Sequence, residues 1–175
     1  EKERLFLQVK TLNKLFEYYC LLRLLKLFAD KGYQKANVKN FNYTADEHYQ
    51  NEKNIANTYQ LSNRNITVTL YYQPVISAVR FENCLKLYRT KNPTKGTSDY
   101  YTPDFVLKFV SPKLDKEYEE YIIFDAKFSP RERIKEKRLP EVIRKYSNEI
   151  NVAIPNNSPK MVWILQGRVN TKESV

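Results

Sequence analysis

The sequence contains few of the residues on which the commonest enzyme sites depend. Its 175 residues include three Gly, two Cys and one His. The glycines, Gly32, Gly96 and Gly167, are too far apart to form the paired-glycine turn of a P-loop or a dinucleotide-binding motif. A Cys/His zinc site would need more Cys and His side chains than the chain contains. The composition therefore argues against nucleotide-driven chemistry and against zinc chemistry.

Nucleophilic catalysis has equally little support in the sequence. His48 lies in the polar run TADEHYQNEKN, and no nucleophile elbow of the G-x-S-x-G type is present. We therefore interpret His48 as a solvated loop residue. Cys20 lies in an apolar helical run and Cys84 begins a strand-like run, which predicts two buried free thiols in a reducing compartment, the cytoplasm. Any chemistry must then depend on carboxylates, lysines and a hard metal ion.

The charge balance favours a basic protein with an anionic partner. Thirty Lys and Arg face twenty Asp and Glu, which gives a net charge of +10. Nucleic acid is the first candidate partner and an acidic membrane the second, although a compositional bias of the genome would give the same excess. No uncharged apolar run reaches the roughly 18 residues of a membrane span. Because the chain begins with Glu1 rather than Met, we expect residues 1–175 to be a single domain from a longer polypeptide.

The hydrophobic pattern predicts a long helix, several strands and a shorter helix. Residues 11–29 carry apolar side chains around more than one stripe, as in a helix packed on two sides. Residues 34–64 are polar and rich in Asn, and we expect them to be irregular. Further elements are predicted as strands at 66–73, 84–90, 103–110, 120–128 and 161–168, and as a helix at about 140–150 that opens with Pro140. This order predicts an α/β (α+β) domain with a mixed central sheet flanked by helices.

Charged residues interrupt two of the predicted strands. In YIIFDAKF, Asp125 and Lys127 share one face because strand residues two apart point to the same side. Asp104 begins the preceding run, PDFVLKFV, and shares its face with Val106. A buried carboxylate is costly unless it is paired or bound to a metal. An ion pair between Asp125 and Lys127 alone would meet that requirement and is the structural alternative to a metal site.

A third carboxylate, Glu17, lies inside the first apolar helix. Its neighbours one turn onward, Cys20 and Leu21, carry no positive charge, so we expect Glu17 to face the core or a cleft. The alternative is a local pair with Asn13 or Lys14. Three carboxylates and a lysine in apolar surroundings resemble a site for a hard cation, since Mg²⁺ prefers oxygen ligands. We therefore expect these carboxylates to converge.

At these residues the sequence resembles the PD-(D/E)XK nucleases. Pro103 and Asp104 correspond to the "PD", Asp125-Ala126-Lys127 corresponds to the "(D/E)XK", and each motif occurs once in the chain. Glu17 matches the acidic residue of the first core helix. The order of elements also fits the α-β-β-β-α-β core of restriction-endonuclease-like folds. Within the superfamily, the runs NKLFEYYCLLRLLKLF, YTPDFVLKF and YIIFDAKFS are similar to those of McrC-like nuclease subunits of restriction systems.

The resemblance implies a Mg²⁺-dependent (or Mn²⁺-dependent) DNA endonuclease, the cleavage domain of a restriction or phage-defence system. It implies that Asp104, Asp125 and the backbone carbonyl of Ala126 bind the metal, with Glu17 acting directly or through water. It implies that Lys127 orients or helps to deprotonate the attacking water, for which a pKa lowered by burial would help. The partners implied are DNA, a motor or specificity subunit or domain, and a second copy of the chain, but no membrane.

A basic segment follows the predicted catalytic strand. Residues 127–146 hold eight Lys and Arg against three Glu, which is half of the net charge of the chain. This predicts contacts with the DNA phosphate backbone, although a solvated charged loop is the alternative. The predicted contact residues are Arg131, Arg133, Lys135, Lys137, Arg138, Arg144 and Lys145. Some members of the superfamily carry Gln four residues before a Tyr on the second core helix; here Val142 precedes Tyr146, so Arg144 or Lys145 would have to replace that Gln.

Other functions stay open at the level of the sequence. A non-catalytic DNA-binding or assembly module on a nuclease-like fold would share the charge and the fold. An RNA-directed nuclease or a junction resolvase would share the catalytic residues as well. A membrane-surface protein is disfavoured because the basic segment lacks an amphipathic apolar face of useful length.

Overall fold

Two helices and ten short strands make up the part of the chain that the structure describes. The structure is a computed structural model, and it describes residues 12–39, 57–77, 85–90, 100–111, 118–153 and 160–167. The first helix, α1, spans Leu12–Asp30, and the second, α2, comprises the consecutive segments Arg131–Arg133, Ile134–Arg138, Leu139–Val142 and Ile143–Asn148. The strands are β1 (Gln34–Lys39), β2 (Thr58–Ser62), β3 (Thr67–Tyr72), β4 (Ile76–Ser77), β5 (Leu87–Arg89), β6 (Tyr100–Tyr101), β7 (Phe105–Ser111), β8 (Tyr118–Phe128), β9 (Ile150–Val152) and β10 (Lys160–Gly167).

Six of these strands form the central mixed sheet. Their order is β1-β2-β3-β7-β8-β10, with β10 parallel to β8 and all other neighbours antiparallel. The parallel pair requires a crossover, which α2 supplies between β8 and β10. Two small sheets, β4 with β6 and β5 with β9, lie beside it. The predicted fold class, a mixed central sheet flanked by helices, is confirmed.

The two faces of the sheet hold separate apolar clusters. Leu107 and Phe124 pack with Cys20 and Leu21 of α1 on one face. Val106 and Ile123 belong to the cluster on the other face, where α2 contributes Val142 and Tyr146. Because successive strand residues alternate between these clusters, the predicted division of each strand into two faces is confirmed.

The sequence-based expectations of local structure failed at three places. The first helix was expected to pack on two sides, but Leu12, Tyr19 and Leu22 of α1 are each more than half exposed, so the helix packs against the sheet on one side.

Residues 34–64 were expected to be irregular, but β1 and β2 occupy 34–39 and 58–62. All but one residue of β1 is exposed, so this edge strand carries no apolar alternation that a sequence pattern could detect. The second helix was expected at about 140–150, but α2 begins at Arg131 and includes the basic segment.

Pro140 lies within α2 instead of opening it. Proline has no N–H, and its ring would collide with the carbonyl four residues before it in a regular α-helix. The turn before it, Ile134–Arg138, is π-helical, and the N–H of Leu139 accordingly donates to the carbonyl of Ile134. This wider turn places Pro140 at the start of a new α-helical segment, so that the helix continues past it.

Some predictions concern residues that the structure does not describe. His48, Cys84, Gly96 and residues 40–56 lie outside the described residues. Cys20 is buried and free, as predicted. Among the described residues, no helix is both long and apolar enough to cross a membrane.

Candidate metal and active site

The register between β7 and β8 brings three of the predicted site residues together. Phe105 lies opposite Phe124, so Asp104, one residue before β7, lies beside Asp125. Oδ2 of Asp104 accepts a 2.6 Å hydrogen bond from the backbone N–H of Ala126. Nζ of Lys127 lies 2.7 Å from Oδ2 of Asp125 and 3.6 Å from Oδ2 of Asp104. Both carboxylates therefore share one ammonium at the end of β8.

Burial makes the negative charge at this site costly. Asp104 is 7% exposed and Asp125 is 4% exposed. Burial, and next the charge of Asp125, raises the pKa of Asp104 to about 7, against the opposing effects of Lys127 and the Ala126 N–H. The site consequently holds more negative charge than its one ammonium balances, and a proton on Asp104 compensates for part of it near neutral pH.

Lys127 departs from the expectation of a lowered pKa. Burial does lower the pKa of Lys127, but the charges of Asp104 and Asp125 and the contact with Asp125 outweigh that effect. Its pKa lies above the ordinary value, so Lys127 is an ammonium at neutral pH. The expectation that burial lowers the pKa of Lys127 is wrong for this arrangement, because the two carboxylates stabilise the charged form.

The donor set at this site fits a hard divalent cation. Oδ2 of Asp125 is buried and receives no well-directed hydrogen bond from the described residues, although Lys127 balances part of its charge. A buried carboxylate oxygen with a free lone pair is a ligand of the kind that Mg²⁺ and Mn²⁺ prefer. The adjacent carboxylate of Asp104 adds a second oxygen donor of the same kind.

The carboxylate of Glu17 is held by residues other than the two aspartates, although its charge contributes to raising the pKa of Asp104. Its Oε2 lies 3.3 Å from Nζ of Lys14, accepts a 2.9 Å hydrogen bond from Nε2 of Gln73, and accepts a 3.3 Å one from the hydroxyl of Tyr72. The local pair with Lys14 that the sequence offered as an alternative is therefore present. Among the described residues no three His, Cys, Asp or Glu side chains are grouped to hold a metal ion, so the expected convergence of three carboxylates is not seen. Glu17 as a metal ligand stays a prediction.

Gln73 connects Glu17 to the aspartates and was missed by the sequence analysis. Its side chain holds Glu17, and its backbone N–H donates a 2.9 Å hydrogen bond to the backbone carbonyl of Asp104. Its φ of 49° is unusual for a residue other than glycine. The only signal in the sequence was a polar residue at the end of the predicted strand 66–73, because the turn that makes Gln73 bridge two elements is set by tertiary structure.

The seven predicted DNA-contact residues fall into two groups along α2. Arg138 and Lys145 both pair with Glu141, at 3.3 and 2.6 Å, and Arg144 pairs with Glu149 at 3.0 Å. The other four are exposed and make no ion pair with any residue that the structure describes; they are Arg131, Arg133, Lys135 and Lys137. We call these four residues the basic strip. It follows β8 directly after the candidate site.

Tyr146 of α2 is buried close enough to the candidate site for the charges of the aspartates to act on it. It is buried, and burial together with the charges of Asp125 and Asp104 raises its pKa. Arg144 and Lys145, the two residues considered as replacements for a Gln in this helix, direct their charged groups to Glu149 and Glu141.

A second buried carboxylate, Glu119, lies on the same face of β8 as Asp125. Lys86 and Lys108 approach its Oε1 to 2.7 and 2.8 Å, and the hydroxyl of Tyr121 donates to its Oε2 at 2.6 Å. Burial raises the pKa of Glu119, but these hydrogen bonds and positive charges lower it by more than burial raises it. The pKa of Glu119 therefore lies below its usual value. Both oxygens have donors, so this cluster is closed and ties the segment before β5 to the sheet.

Comparison with known families addresses the same residues. The family model of the PD-(D/E)XK nuclease superfamily matches residues 14–154, which include Glu17, Asp104, Asp125 and Lys127. The chain belongs to the PD-(D/E)XK nuclease superfamily. No curated protein and no solved structure matches the chain. Membership of the superfamily makes the chain a nuclease by family, and it is consistent with the mixed sheet and with a site that has oxygen donors for a divalent metal.

Proposed function

We propose that this nuclease is a Mg²⁺- or Mn²⁺-dependent endonuclease that hydrolyses DNA phosphodiester bonds. The observation that carries the proposal is the shared environment of Asp104, Asp125 and Lys127. Both carboxylates are buried, and Nζ of Lys127 lies 2.7 Å from Oδ2 of Asp125 and 3.6 Å from Oδ2 of Asp104. Buried charge is costly unless it is compensated, and here one ammonium serves two buried carboxylates.

Asp104, Asp125 and the carbonyl of Ala126 would hold the cation, and Glu17 would act through a water molecule because its carboxylate is engaged with Gln73. A cation held there lowers the pKa of a bound water and stabilises negative charge on the scissile phosphate. The chain supplies the rest. Lys127, which keeps its proton at neutral pH, donates hydrogen bonds that orient the attacking water or a phosphate oxygen. Gln73 fixes Glu17 relative to the backbone of Asp104.

We propose that the basic strip carries the phosphate contacts and that Arg138, Arg144 and Lys145 contribute little. An arginine or lysine already paired with a carboxylate must give up that pair to bind a phosphate, whereas the four residues of the strip keep their charge available. Replacing the four by neutral residues should remove about four phosphate contacts. The slope of the logarithm of DNA affinity against the logarithm of salt concentration should then become shallower by about four.

A cleavage assay with matched variants tests the proposal. Supercoiled plasmid is incubated with Mg²⁺ or Mn²⁺ and with wild type, Asp125→Asn or Lys127→Met, and Asp30→Asn on the exposed end of α1 serves as the control. We expect cleavage by wild type and the control, and a loss of about 100-fold or more in the two site variants. Equal cleavage by all four proteins would refute the assignment of these residues.

Metal binding is measured separately by calorimetry, because a nuclease that needs a partner subunit could be silent on plasmid. Wild type should bind Mn²⁺ and Asp125→Asn should not. DNA binding that is unaffected by Asp125→Asn in a wild type that binds no metal would instead favour a non-catalytic module on this fold.

We propose a restriction or phage-defence system as the context of the nuclease. The support is the similarity of the three motif-bearing runs to McrC-like subunits, which act with a motor subunit. Such a partner, rather than the nuclease domain, would then select the DNA site. The buried free thiol of Cys20 is consistent with the reducing cytoplasm, where this DNA would be met.

A further inference from the structure

An aromatic pair on α1 lies at the end of the sheet that carries the candidate site. The rings of Phe16 and Tyr19 are nearly parallel, with centroids 6.3 Å apart and an angle of 23° between their planes. Phe16 immediately precedes Glu17. Its ring centroid lies 5.6 Å from that of Phe128, which follows Lys127 on β8. The pair is therefore close to the candidate site, on the face of the sheet that α1 covers.

The inner ring of this pair is held rigidly. Phe16 is half-buried, and the ring of Phe128 and the backbone of Gly167 in β10 lie against it. A Cβ at Gly167 would overlap the ring of Phe128 and lie 2.9 Å from a ring carbon of Phe16, so glycine leaves the space that both rings occupy. Because Phe16 is fixed in this way, Tyr19 rests on a preorganised support, and a ligand that stacks on Tyr19 has little left to order.

The outer ring of the pair is open to solvent. Tyr19 is 56% exposed, so its ring contributes little to the core, and a large part of its surface is accessible. Single exposed apolar residues are common on protein surfaces and by themselves indicate no function. Tyr19 differs from such a residue because a second ring supports it and the candidate site lies nearby. We call Phe16 and Tyr19 the stacking platform.

Positive charge lies close to the stacking platform. The basic strip begins at Arg131, three residues after Phe128. The turn between them is tied to the end of β10, since Nε2 of Gln166 donates a 3.2 Å hydrogen bond to the backbone carbonyl of Ser129. Proteins that bind single-stranded nucleic acid combine cations that follow the backbone with aromatic rings on which the bases stack. Both features meet here at the end of β8.

We propose that the stacking platform binds an unpaired nucleobase of the DNA strand whose phosphates contact the basic strip, an inference that rests on the proposed function. Every base has a flat π-surface that can stack on the ring of Tyr19, so the platform requires no particular sequence. The adjacent positive charge favours this occupant over an apolar protein segment, because only a nucleic acid uses the aromatic surface and the cations together.

The platform makes unpaired DNA the substrate class of the site. In an intact duplex each base is paired and stacked between its neighbours, so it reaches Tyr19 only after it leaves the helix. Removing a base from the stack costs least where the DNA is already single-stranded or mismatched. Tyr19 should therefore contribute to the binding of single strands and not to the binding of an intact duplex.

Fluorescence anisotropy of the full chain with labelled strands of about 12 nucleotides tests the platform without cleavage, because a chelator removes the metal. One strand is oligo-dT, and the other has the same backbone without bases, so both offer the same phosphates. Wild type should bind oligo-dT about tenfold more tightly, which corresponds to about 1.4 kcal/mol and to the stacking of one base. Tyr19→Leu should remove this preference and leave the binding of a duplex of the same length unchanged.

Tyr19→Phe and Trp163→Leu are the matched controls. Phenylalanine keeps the aromatic ring, so Tyr19→Phe should keep the preference for oligo-dT. Trp163 is 54% exposed and lies four residues before Gly167 on β10, about 13 Å along the strand. Trp163→Leu thus removes an exposed aromatic ring away from the platform and should also keep the preference. Urea unfolding verifies that each variant is folded.

The outcomes separate the platform from the proposed nuclease activity. Loss of the preference in folded Tyr19→Leu, with the preference kept in both controls, supports the proposal. A wild type that binds both strands equally overturns it, and so does a preference that survives in Tyr19→Leu or that either control also abolishes. A chain that shows the preference through Tyr19 but binds no Mn²⁺ supports the platform and contradicts the proposed endonuclease, whereas Mn²⁺ binding without the preference does the reverse.

Discussion

Replacing Asp104 by Asn should change how stability depends on pH. The carboxyl group of Asp104 has a pKa of about 7 in the folded chain, against 3.8 for an ordinary aspartate. Between about pH 4 and pH 7 the folded state therefore holds a proton that the unfolded state has lost. Because the folded state binds more protons in this window, the free energy of unfolding falls as pH rises through it.

The size of the effect follows from the shift. About three pKa units at 1.36 kcal/mol each correspond to a loss on the order of 4 kcal/mol between pH 4 and pH 8. This is a large fraction of the roughly 5–15 kcal/mol that stabilises a typical domain. Asparagine carries no charge at any pH, and its side-chain oxygen can still accept from the N–H of Ala126, so Asp104→Asn should remove the loss while keeping that contact.

Urea unfolding in the presence of a chelator, at pH 5, 6, 7 and 8, measures the effect. The difference in free energy between Asp104→Asn and wild type should grow in favour of the variant as pH rises, with most of the change below pH 7. Asp30→Asn, on an exposed carboxylate paired with Lys26, controls for the loss of one negative charge and should run parallel to wild type. Parallel curves for wild type and Asp104→Asn would show that the carboxylate of Asp104 is not destabilised by its surroundings, and the proposed charge imbalance would be wrong.

Three further substitutions give defined outcomes. Glu119→Gln should cost roughly 3 kcal/mol in urea unfolding at pH 7, because it leaves two lysines beside a neutral group, and a neutral effect would contradict the closed cluster. Gly167→Ala should cost about 1–3 kcal/mol, since a Cβ there would overlap the ring of Phe128; unchanged stability would mean that the ring moves freely. Gln73→Ala should leave the fold intact but weaken Mn²⁺ binding in calorimetry by about tenfold through Glu17, whereas unchanged binding would remove Glu17 from the metal site.

The sheet and the pair of aspartates were predictable because both depend on local alternation. Apolar residues occupy both faces of β7 and β8, so the charges of Asp104 and Asp125 are conspicuous in the sequence. The alternation of strand residues then predicts on which face of the sheet each aspartate lies. Asp104 and Asp125 lie on consecutive strands, and consecutive antiparallel strands pair. The two aspartates are therefore expected to be neighbours in the sheet. The position of Lys127 follows from the same period of two.

The rest of the site depends on distances that no local pattern encodes. Glu17 was placed on the correct helix, but whether its carboxylate reaches the aspartates depends on how α1 crosses the sheet, and the structure ties it to Gln73 instead. The pKa of Lys127 was predicted from burial alone. In the structure two carboxylates lie 2.7 and 3.6 Å from Nζ of Lys127 and raise its pKa instead. How many carboxylates surround the ammonium is set by the fold and cannot be counted from the local sequence.

The two buried clusters on one face of β8 differ in charge balance, and this difference separates a structural site from a metal site. At Glu119 two ammonium groups and a hydroxyl serve one carboxylate, so no oxygen is left for a cation and an added positive charge would be repelled. At Asp125 one ammonium serves two carboxylates and a buried oxygen lacks a directed hydrogen bond. The negative charge that destabilises the metal-free chain above pH 7 is the same charge that attracts a divalent cation. Metal binding and the titration of Asp104 must therefore be linked, and stabilisation by Mn²⁺ should increase from pH 6 to pH 8 in wild type and be lost in Asp104→Asn.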